Sequence, residues 1–379
     1  MIDSKLPNVG TTIFTIMSKL AIDNGAVNLG QGFPGFQMDA QLADLVSKYM
    51  KRGFNQYAPM PGIPELRRTI SEKIWKSYGH RYDPDSEITI TSGGTQAIYT
   101  AITALVHEDD EVVLFAPAYD CYAPAVEING GKCVWASLES PHFRINWDHV
   151  RKLVNHRTKL IIINTPHNPS GAVFNEYDLT QLESIVAGTG IFVLSDEVYE
   201  HIIFDQQKHE SVARYPTLAK QSFIVYSFGK TFHNTGWKMG YVCGPAEMMA
   251  EFRKVHQFNV FSSNTPIQYA LNEYMEDENR YLSLSSFYQA KRDLFLDEIS
   301  SSRFTVIPTA GTYFLLLGYD KISSGKDTEV AKEFTVKNKI TAIPCSVFYP
   351  DHRDYHLLRF CFAKEESELK KAGEILRNI

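Results

Sequence analysis

The middle of this chain alternates short apolar runs with amphipathic helical patterns, and this alternation limits its possible folds more than any other feature. The apolar runs are rich in Val, Ile and Phe and do not alternate with polar residues, as is typical of strands covered on both faces. They lie at residues 88–91, 111–115, 133–136, 160–164, 191–195, 223–227 and 241–243. Helical stripes separate them, so we predict a mainly parallel, seven-stranded sheet with helices packed on both faces, an α/β fold.

The pattern changes after about residue 285. A long helix is expected to lead into strands at 303–307 and 313–317, followed by a helix around 328–338 and a strand at 357–361. These elements predict a smaller α+β domain over residues 286–379, beside a large domain over residues 41–285. Residues 1–40, with one helix at 12–21 and a Gly/Pro-rich segment, are expected to form an arm that packs on the small domain. An active site would then lie in the cleft between the domains.

Composition narrows the function classes. Lys and Arg total 38 and Asp and Glu total 44, for a net charge of −6, which argues against a nucleic-acid or anionic-membrane binder. The apolar runs are far shorter than the roughly 20 residues of a membrane span, and the N-terminus shows no targeting pattern. The five cysteines show no C-x-x-C spacing, which predicts reduced thiols in a cytoplasmic protein and no metal site.

Several polar motifs follow predicted strands, where ligands of open parallel sheets bind. Ser-Gly-Gly-Thr-Gln at 92–96 opens a helix and could hold an anion, although strand-to-helix turns use Gly routinely. Asn-Thr-Pro-His-Asn-Pro-Ser-Gly at 164–171 is either a rigid turn or a loop that holds an Asn amide toward a ligand. Asp196, in the motif at 195–199, is either a helix N-cap or a carboxylate that faces a cationic ring nitrogen.

Three further residues complete this set. Lys230 lies between aromatic residues just after a predicted strand, where desolvation would lower its pKa and permit a Schiff base; a snorkelling Lys is the alternative. Tyr119 adds an aromatic face, and Arg359 inside an apolar strand should have a carboxylate partner from protein or ligand. Pyridoxal phosphate acting on an amino acid needs an amine, an acid, an anion cradle and an Arg together.

The motifs at 164–171, 195–199 and 227–232 resemble, in order and spacing, the signatures of the fold-type I, class I/II aminotransferases, which depend on pyridoxal 5′-phosphate (PLP). The resemblance covers essentially the whole chain. The segments at 10–15, 31–36, 55–60 and 255–258 are similar to a subgroup that contains bacterial methionine aminotransferases and the kynurenine aminotransferase/glutamine transaminase K enzymes. The resemblance implies the PLP-dependent transferase fold of type I.

The resemblance also implies roles for individual residues. Lys230 would carry the cofactor and shuttle a proton, while Asp196 would keep the ring nitrogen protonated. The remaining cofactor contacts would come from Tyr199 and Asn168 at the ring hydroxyl, Tyr119 stacked on the ring, Gly94, Thr95, Ser227 and Lys238 at the phosphate, and Tyr57 of the neighbouring subunit. Lys238 departs from the Arg of many members, which replaces a planar fork with a point charge.

Substrate contacts are implied in the same way. Arg359 would bind the substrate α-carboxylate, with Asn164 and the backbone of Gly32 beside it. Phe14, Phe33 and Phe261 would line the side-chain pocket, with Phe261 coming from the other subunit. An aromatic, largely uncharged pocket favours methionine, aromatic, His or Gln-like side chains over Asp or Glu.

The sequence is therefore expected to encode a homodimeric PLP aminotransferase that transfers the amino group of methionine to a 2-oxo acid by a ping-pong mechanism. The main alternative is an enzyme of the kynurenine aminotransferase/glutamine transaminase K type with cysteine-S-conjugate β-lyase activity. Two others stay open: an acyl-CoA-dependent condensing enzyme, whose motifs match less closely, and a PLP-dependent regulator, which would carry an N-terminal helix-turn-helix domain.

Overall fold

A computed structural model describes residues 3–379, so residues 1 and 2 of the predicted N-terminal arm lie outside this range. Its strands are β1 (Val27–Asn28), β2 (Ile88–Thr91), β3 (Glu111–Ala116), β4 (Lys132–Glu139), β5 (Arg144–Ile145), β6 (Thr158–Asn164), β7 (Phe192–Asp196), β8 (Ser222–Ser227), β9 (Gly240–Cys243), β10 (Thr305–Val306), β11 (Phe314–Gly318), β12 (Ile340–Thr341), β13 (Ile343–Pro344) and β14 (Leu357–Cys361).

The helices are α1 (Ile13–Asn24), α2 (Ala40–Lys51), α3 (Pro64–Tyr78), α4 (Gly94–Leu105), α5 (Tyr122–Ile128), α6 (Trp147–Leu153), α7 (Glu176–Val186), α8 (Pro216–Ala219), α9 (Phe228–Thr231), α10 (Ala246–Asn259), α11 (Thr265–Tyr274), α12 (Asn279–Leu282), α13 (Leu284–Glu298), α14 (Asp327–Glu333) and α15 (Glu366–Arg377). The helix expected around 328–338 is α14 followed by a wider π-helical turn, Phe334–Asn338.

The large sheet has the order β2-β9-β8-β7-β6-β3-β4-β5. It contains all seven predicted strands, and β9 runs antiparallel to both of its neighbours, β2 and β8. The mainly parallel α/β fold is therefore confirmed. One strand more than predicted is present: β5, only two residues long, pairs with the end of β4 as a short antiparallel extension. Two residues are too few to produce a recognisable apolar run.

Strand β6 shows why the predicted strands are apolar without alternation. Ile161 and Ile163 pack into the larger hydrophobic cluster on one face of the sheet, while Leu160 and Ile162 pack into the cluster on the opposite face. All four are at most 2% exposed. Helices cover both faces, so each face of the strand needs apolar side chains.

A second sheet, of order β10-β11-β14-β13, is antiparallel throughout. It contains the three strands predicted after residue 300, and β14 brings Arg359 opposite Leu316 of β11. Near the N-terminus β1 pairs in parallel with β12, with Val27 opposite Ile340. Residues 27–28 thus pair with the C-terminal part of the chain, and the Cys361 amide of β14 donates to the Leu29 carbonyl oxygen at 2.7 Å, which places the segment after β1 beside β14.

Within residues 3–379, no helix combines the length and apolar composition that a membrane crossing requires. Over the same residues, no group of three or more His, Cys, Asp or Glu side chains is arranged to hold a metal ion. The five cysteines form no disulfide.

Candidate active site

A cavity of about 250 Å³ lies at the carboxyl edge of the large sheet, between that edge and the segment after β1. Strands β2, β6, β7 and β8 are mutually parallel through the sheet, so the residues that follow them meet at this edge. The cavity is lined by fourteen of the sixteen residues predicted for the site: Phe14, Gly32, Phe33, Gly94, Thr95, Tyr119, Asn164, Asn168, Asp196, Tyr199, Ser227, Lys230, Lys238 and Arg359.

Lys230 projects from α9, the single helical turn that directly follows β8. Its Nζ donates hydrogen bonds to the Tyr313 hydroxyl at 2.8 Å and to the Gly32 carbonyl oxygen at 3.2 Å. Burial lowers the pKa of Lys230 to about 8, because the cavity wall solvates the ammonium poorly. A neutral, nucleophilic amine is therefore accessible near neutral pH.

Asp196 ends β7 and is 3% exposed. Its Oδ2 accepts a hydrogen bond from the Tyr122 hydroxyl at 2.5 Å, and its Oδ1 accepts one from the Val198 amide at 3.3 Å. Within residues 3–379 no Lys, Arg or His nitrogen forms an ion pair with it, and burial raises the pKa of its carboxyl to about 6. A buried carboxylate without a cation fits a ligand that supplies one, such as a protonated ring nitrogen.

The neighbouring acid, Glu197, faces away from the cavity. Its carboxylate accepts hydrogen bonds from Ser195 Oγ at 2.9 Å and from the Val212 amide at 3.1 Å, and lies 2.8 Å from His209 Nε2. No α-helix begins at Asp196, so its predicted alternative role as a helix N-cap does not apply. Consecutive side chains along an extended backbone point to opposite sides, so the two acids are separated and only Asp196 lines the cavity.

Tyr199 is 3% exposed, and its ring centroid lies 5.5 Å from Lys230 Nζ. Burial raises the pKa of its hydroxyl far above the usual range, so the phenol stays protonated and can donate to a ligand oxygen. Asn168 also lines the cavity, and its Oδ1 accepts a hydrogen bond from Arg359 Nη1 at 2.8 Å. Because Oδ1 of Asn168 faces Arg359, the amide nitrogen Nδ2 faces the opposite way.

Arg359 is the buried cation at the other end of the cavity, with 1% exposure. Besides Asn168, it donates to the Gly30 carbonyl oxygen at 3.2 Å, and its guanidinium carbon lies 4.0 Å from the centroid of the Phe314 ring. Its Nε has no partner, and no carboxylate of the described chain forms an ion pair with it. The described chain does not supply the carboxylate partner that the sequence led us to expect, and a ligand carboxylate would fit this position.

Asn164 lines the cavity, but both polar ends of its side chain are already bound within the protein. Its Oδ1 accepts from the Asn168 amide at 2.8 Å, and its Nδ2 donates to the Asp196 carbonyl oxygen at 2.9 Å. Asn164 therefore ties the 164–171 loop to the end of β7. The contact with substrate that the resemblance implied stays a prediction, since Asn164 lines the cavity and its Nδ2 has a second N–H.

An anion cradle forms where α4 begins. The N-cap residue Gly93 has φ +84° and no side chain to cap the helix, which leaves the first amides of α4 free for an anion. A Cβ at Gly93 would lie 3.4 Å from Lys238 Cε, so the Lys238 side chain passes directly over this turn. Thr95 and Ser227 also line the cavity. Helix amides, hydroxyls and an ammonium together suit a phosphate group.

Tyr57 and Phe261 are the two predicted site residues that do not line the cavity. Their rings contact each other edge to face at 5.4 Å between centroids, and they are 83% and 43% exposed. The resemblance assigned both residues to the neighbouring subunit's site, and a single chain has no such neighbour.

Sequence reasoning missed Tyr122 and Tyr313, whose hydroxyls contact Asp196 and Lys230. Tyr122 lies three residues after Tyr119, which was predicted, and Tyr313 was counted only as the first residue of a strand. Both are buried, and a buried phenol hydroxyl generally needs a polar partner. That rule could have marked them as candidates without identifying the partners.

Comparisons with known proteins agree with this geometry. A family model described as "Aminotransferase class I and II" matches residues 24–376. The chain is 48% identical over 377 residues to methionine aminotransferase of Escherichia coli (strain K12), covering 99% of this chain and 98% of that protein. It is 32% identical over 410 residues to kynurenine–oxoglutarate transaminase of Dictyostelium discoideum, covering 98% and 94%. A solved Escherichia coli structure, for which a methionine aminotransferase function is described, superposes with a TM-score of 0.97 at 47% identity, covering 100% of both chains.

Proposed function

We propose that this chain, which belongs to the class I and II aminotransferases and is a PLP-dependent transaminase, uses methionine as its preferred amino donor. Aromatic, His or Gln-like amino acids would be secondary donors, with a 2-oxo acid as acceptor in a ping-pong cycle. The observation that carries the amino-acid and 2-oxo-acid part of this proposal is Arg359, a buried guanidinium that faces the cavity without a carboxylate partner in the described chain. Every amino acid and every 2-oxo acid carries a carboxylate that could pair with Arg359.

The residues around the cavity fit the cofactor that the family uses. Asp196 would hold the ring nitrogen in its protonated form, and Tyr199 with Asn168 would hydrogen-bond the ring hydroxyl. Tyr119 would cover one face of the ring. The phosphate would be held by the amides of Gly94 and Thr95 with the side chains of Ser227 and Lys238. When bound, PLP supplies an electron sink for the electron pair released as the substrate Cα–H bond breaks.

Lys230 would act both as the cofactor's covalent attachment point and as the base at the substrate Cα. Its Nζ lies in the cavity wall, and its lowered pKa allows it to accept a proton near neutral pH. Arg359 would orient the substrate by its carboxylate, so that the same Cα meets Nζ for every donor. Asn164 supports this arrangement by fixing the Asn168 loop.

Phe14 and Phe33 support the preference for methionine. Both line the cavity on the side of the N-terminal segment, and apolar side chains gain free energy by burial against them. Lys364, the cation beside Phe33, donates to the Phe33 carbonyl oxygen at 3.3 Å and does not line the cavity. A distal carboxylate such as that of aspartate would lose its hydration there without gaining a partner.

An enzyme of the kynurenine aminotransferase/glutamine transaminase K type, with cysteine-S-conjugate β-lyase activity, is the second candidate. The aromatic rings in the cavity favour it, because they suit aromatic donors as well as methionine. The 48% identity to a methionine aminotransferase, against 32% to a kynurenine transaminase, supports methionine as the main donor.

We also propose a cytoplasmic homodimer in which Tyr57 and Phe261 reach the partner's cavity. Their exposed ring pair supports this arrangement, and the five free thiols support a reducing compartment. Within each chain, residues 41–285 would form the cofactor-binding domain and residues 286–379 the small domain. The β1–β12 pairing supports an arm over residues 1–40 that packs on the latter.

An amino-acid panel with one 2-oxo acid acceptor tests the proposed substrate. We expect the highest kcat/KM with methionine, lower values with phenylalanine, tyrosine, histidine and glutamine, and a poor value with aspartate. Aspartate turnover equal to that of methionine would contradict the neutral pocket. Assays of cysteine S-conjugates without acceptor, followed by pyruvate and ammonia release, measure the second candidate. Borohydride reduction and peptide mapping should place the pyridoxyl group on Lys230.

A further inference from the structure

Three polar atoms form a closed hydrogen-bonded triangle in the wall of the cavity. Lys230 Nζ donates to the Tyr313 hydroxyl at 2.8 Å and to the Gly32 carbonyl oxygen at 3.2 Å. The Tyr313 hydroxyl in turn donates to the same Gly32 oxygen at 2.8 Å. The three groups come from α9, the residue just before β11 and the segment after β1, so the triangle joins three distant parts of the chain.

Tyr313 is held rigidly at this position. It is 0% exposed, and its ring packs against Tyr199, Tyr288 and Phe314 with centroid distances of 5.2, 5.7 and 4.9 Å. Its backbone carbonyl accepts a hydrogen bond from the Phe362 amide at 3.0 Å. The hydroxyl therefore has a fixed location against which the flexible end of the Lys230 side chain can be positioned.

Gly32 is fixed equally closely on the other side. A Cβ at this position would lie 3.0 Å from Cζ and 3.2 Å from Cε1 of Phe314. With a larger residue, either the Phe314 ring or this backbone would have to shift by a few tenths of an ångström, and a shift of the backbone would move its carbonyl oxygen relative to Lys230. A glycine here permits the approach that completes the triangle.

The direction of these bonds has a consequence for the amine. A neutral Lys amine has two N–H donors and one lone pair, and both acceptors of the triangle lie on one side of Nζ. Because the Tyr313 hydroxyl donates to Gly32, its oxygen lone pairs accept from Nζ. With both N–H groups bound, the lone pair is directed away from the two oxygens, toward the cavity.

We propose that Tyr313 is a positioning residue for Lys230: with the Gly32 carbonyl, its hydroxyl holds the free amine so that the Nζ lone pair faces the substrate Cα. The proposal rests on the role proposed for Lys230 above. Removal of the Cα proton forms an N–H bond at this lone pair as the Cα–H bond breaks. Without Tyr313, the amine would sample other rotamers, and fewer encounters would be productive.

The test compares Tyr313→Phe with Tyr288→Phe, each of which removes one buried hydroxyl. Tyr288 is a matched control: it is 0% exposed, packs against Tyr313, and its hydroxyl has no hydrogen-bond partner in the described chain. In the PLP-loaded enzyme, Tyr313→Phe should lower kcat about tenfold, as expected for a lost hydrogen bond, with a smaller change in KM. The kinetic isotope effect with Cα-deuterated methionine should rise, because proton transfer becomes slower relative to other steps. Tyr288→Phe should leave kcat and the isotope effect unchanged.

A second measurement uses the cofactor-free protein and does not depend on turnover. Reductive methylation with formaldehyde and cyanoborohydride at pH 7, mapped by mass spectrometry, reports the reactivity of the Lys230 amine. Losing one acceptor should make Lys230 react about three- to tenfold faster in Tyr313→Phe than in wild type or Tyr288→Phe. Near-UV circular dichroism establishes that both variants are folded.

The proposal is overturned if the isotope effect or the Lys230 labelling rate in Tyr313→Phe matches that of Tyr288→Phe, because a fall in kcat alone would reflect only packing. Borohydride mapping of wild type separates the two levels of inference. A pyridoxyl group found on another lysine would refute the proposed role of Lys230 itself. A group found on Lys230, with unchanged behaviour of Tyr313→Phe, would refute only the role of Tyr313.

Discussion

Tyr122 donates a hydrogen bond from its hydroxyl to the Asp196 carboxylate at 2.5 Å, at the buried end of a strand where no cation of residues 3–379 forms an ion pair with that carboxylate. The hydrogen bond favours the charged form of Asp196, whereas burial favours the neutral form, and burial is the stronger effect. A positive charge on a ligand beside Asp196 would therefore stabilise the charged form of this carboxyl. The protonated ring nitrogen of PLP would supply such a charge.

Asp196→Asn should lower kcat with saturating methionine by about 10²- to 5 × 10³-fold. The expected size follows from breaking a buried charge pair, about 3–5 kcal/mol, because the amide cannot keep the ring nitrogen protonated. Tyr122→Phe removes only one hydrogen bond to the charged group and should cost about tenfold. Steady-state kinetics of the three proteins provides the measurement. Near-normal turnover of Asp196→Asn would mean that another residue faces the ring nitrogen.

The cofactor-free protein should show the cost of burying Asp196 in its pH dependence. The pKa of its carboxyl is about 6 in the folded protein and 3.8 in the unfolded chain, so between these values the folded state holds a proton that the unfolded state has released. The contribution of Asp196 to the free energy of unfolding therefore falls as pH rises through this window. At pH 7.5 Asp196→Asn should be about 3 kcal/mol more stable than wild type, and at pH 4 the gain should fall to about 0.6 kcal/mol.

Urea unfolding of both cofactor-free proteins at pH 4 and pH 7.5 measures this difference. A gain in stability that is equal at the two pH values would show that the Asp196 carboxyl does not titrate in this window.

Arg359→Lys should weaken all amino-acid substrates by a similar factor, about 10- to 100-fold in kcat/KM. The α-carboxylate is common to every donor, and Lys replaces a planar fork with a point charge. Phe33→Ala should instead affect methionine and phenylalanine by about one to two decades more than alanine, because it removes only side-chain contact. The three donors are assayed with each variant. A loss for Arg359→Lys that depends on the side chain would contradict the carboxylate assignment.

Phe14 should give a mixed result. Its ring centroid lies 5.2 Å from the Arg359 guanidinium carbon, so the ring supports the carboxylate site as well as the side-chain pocket. Phe14→Ala should therefore reduce kcat/KM for alanine measurably while reducing that for methionine further, unlike Phe33→Ala.

Mixed dimers test whether the active site is shared. Chains carrying Lys230→Ala and chains carrying Tyr57→Ala, each of low activity alone, should recover about a quarter of wild-type activity when mixed and re-associated equally. Half of the dimers are then mixed, and one of their two sites is intact. Lys230→Ala mixed with Asp196→Asn is the control, since both residues line one chain's own cavity and no intact site can form. Equal recovery in both mixtures, or full activity of a monomer, would refute the shared site.

Gly171 and Gly188 make a matched pair for a stability test, because both have φ +72°. A Cβ at Gly188 would meet nothing within 4 Å, so Gly188→Ala should cost only the strain of this backbone conformation, about 1–2 kcal/mol. A Cβ at Gly171 would overlap Thr309 Oγ1, so Gly171→Ala should cost about 1–3 kcal/mol more. Urea unfolding measures both. Equal costs would mean that Thr309, in the turn before β11, moves away from the 164–171 loop without a loss of stability.

Much of the fold could be read from the chain because burial on both faces leaves a local record. Strand β6 is apolar from Leu160 to Ile163 since each face meets a helical layer, and β3 is likewise buried along its length with side chains in both clusters. The two-residue strands β5, β12 and β13 left no such record. They exist because a neighbouring strand offers free backbone groups, which is a property of the assembled sheet.

The reactive residues were also visible in the sequence, whereas their partners were not. Lys230, Asp196 and Arg359 stand out because burying a charged side chain at the end of a strand or inside one costs free energy unless a partner compensates the charge. That Tyr313 meets Lys230 and Gly32 could be decided only by folding, since these partners lie 83 and 281 residues away along the chain. The sequence by itself determined which groups can react and at which edge of the sheet they gather. The tertiary structure decided how each is aimed, because hydrogen bonds a few ångströms long between distant segments are set by packing and leave no periodic trace in the chain.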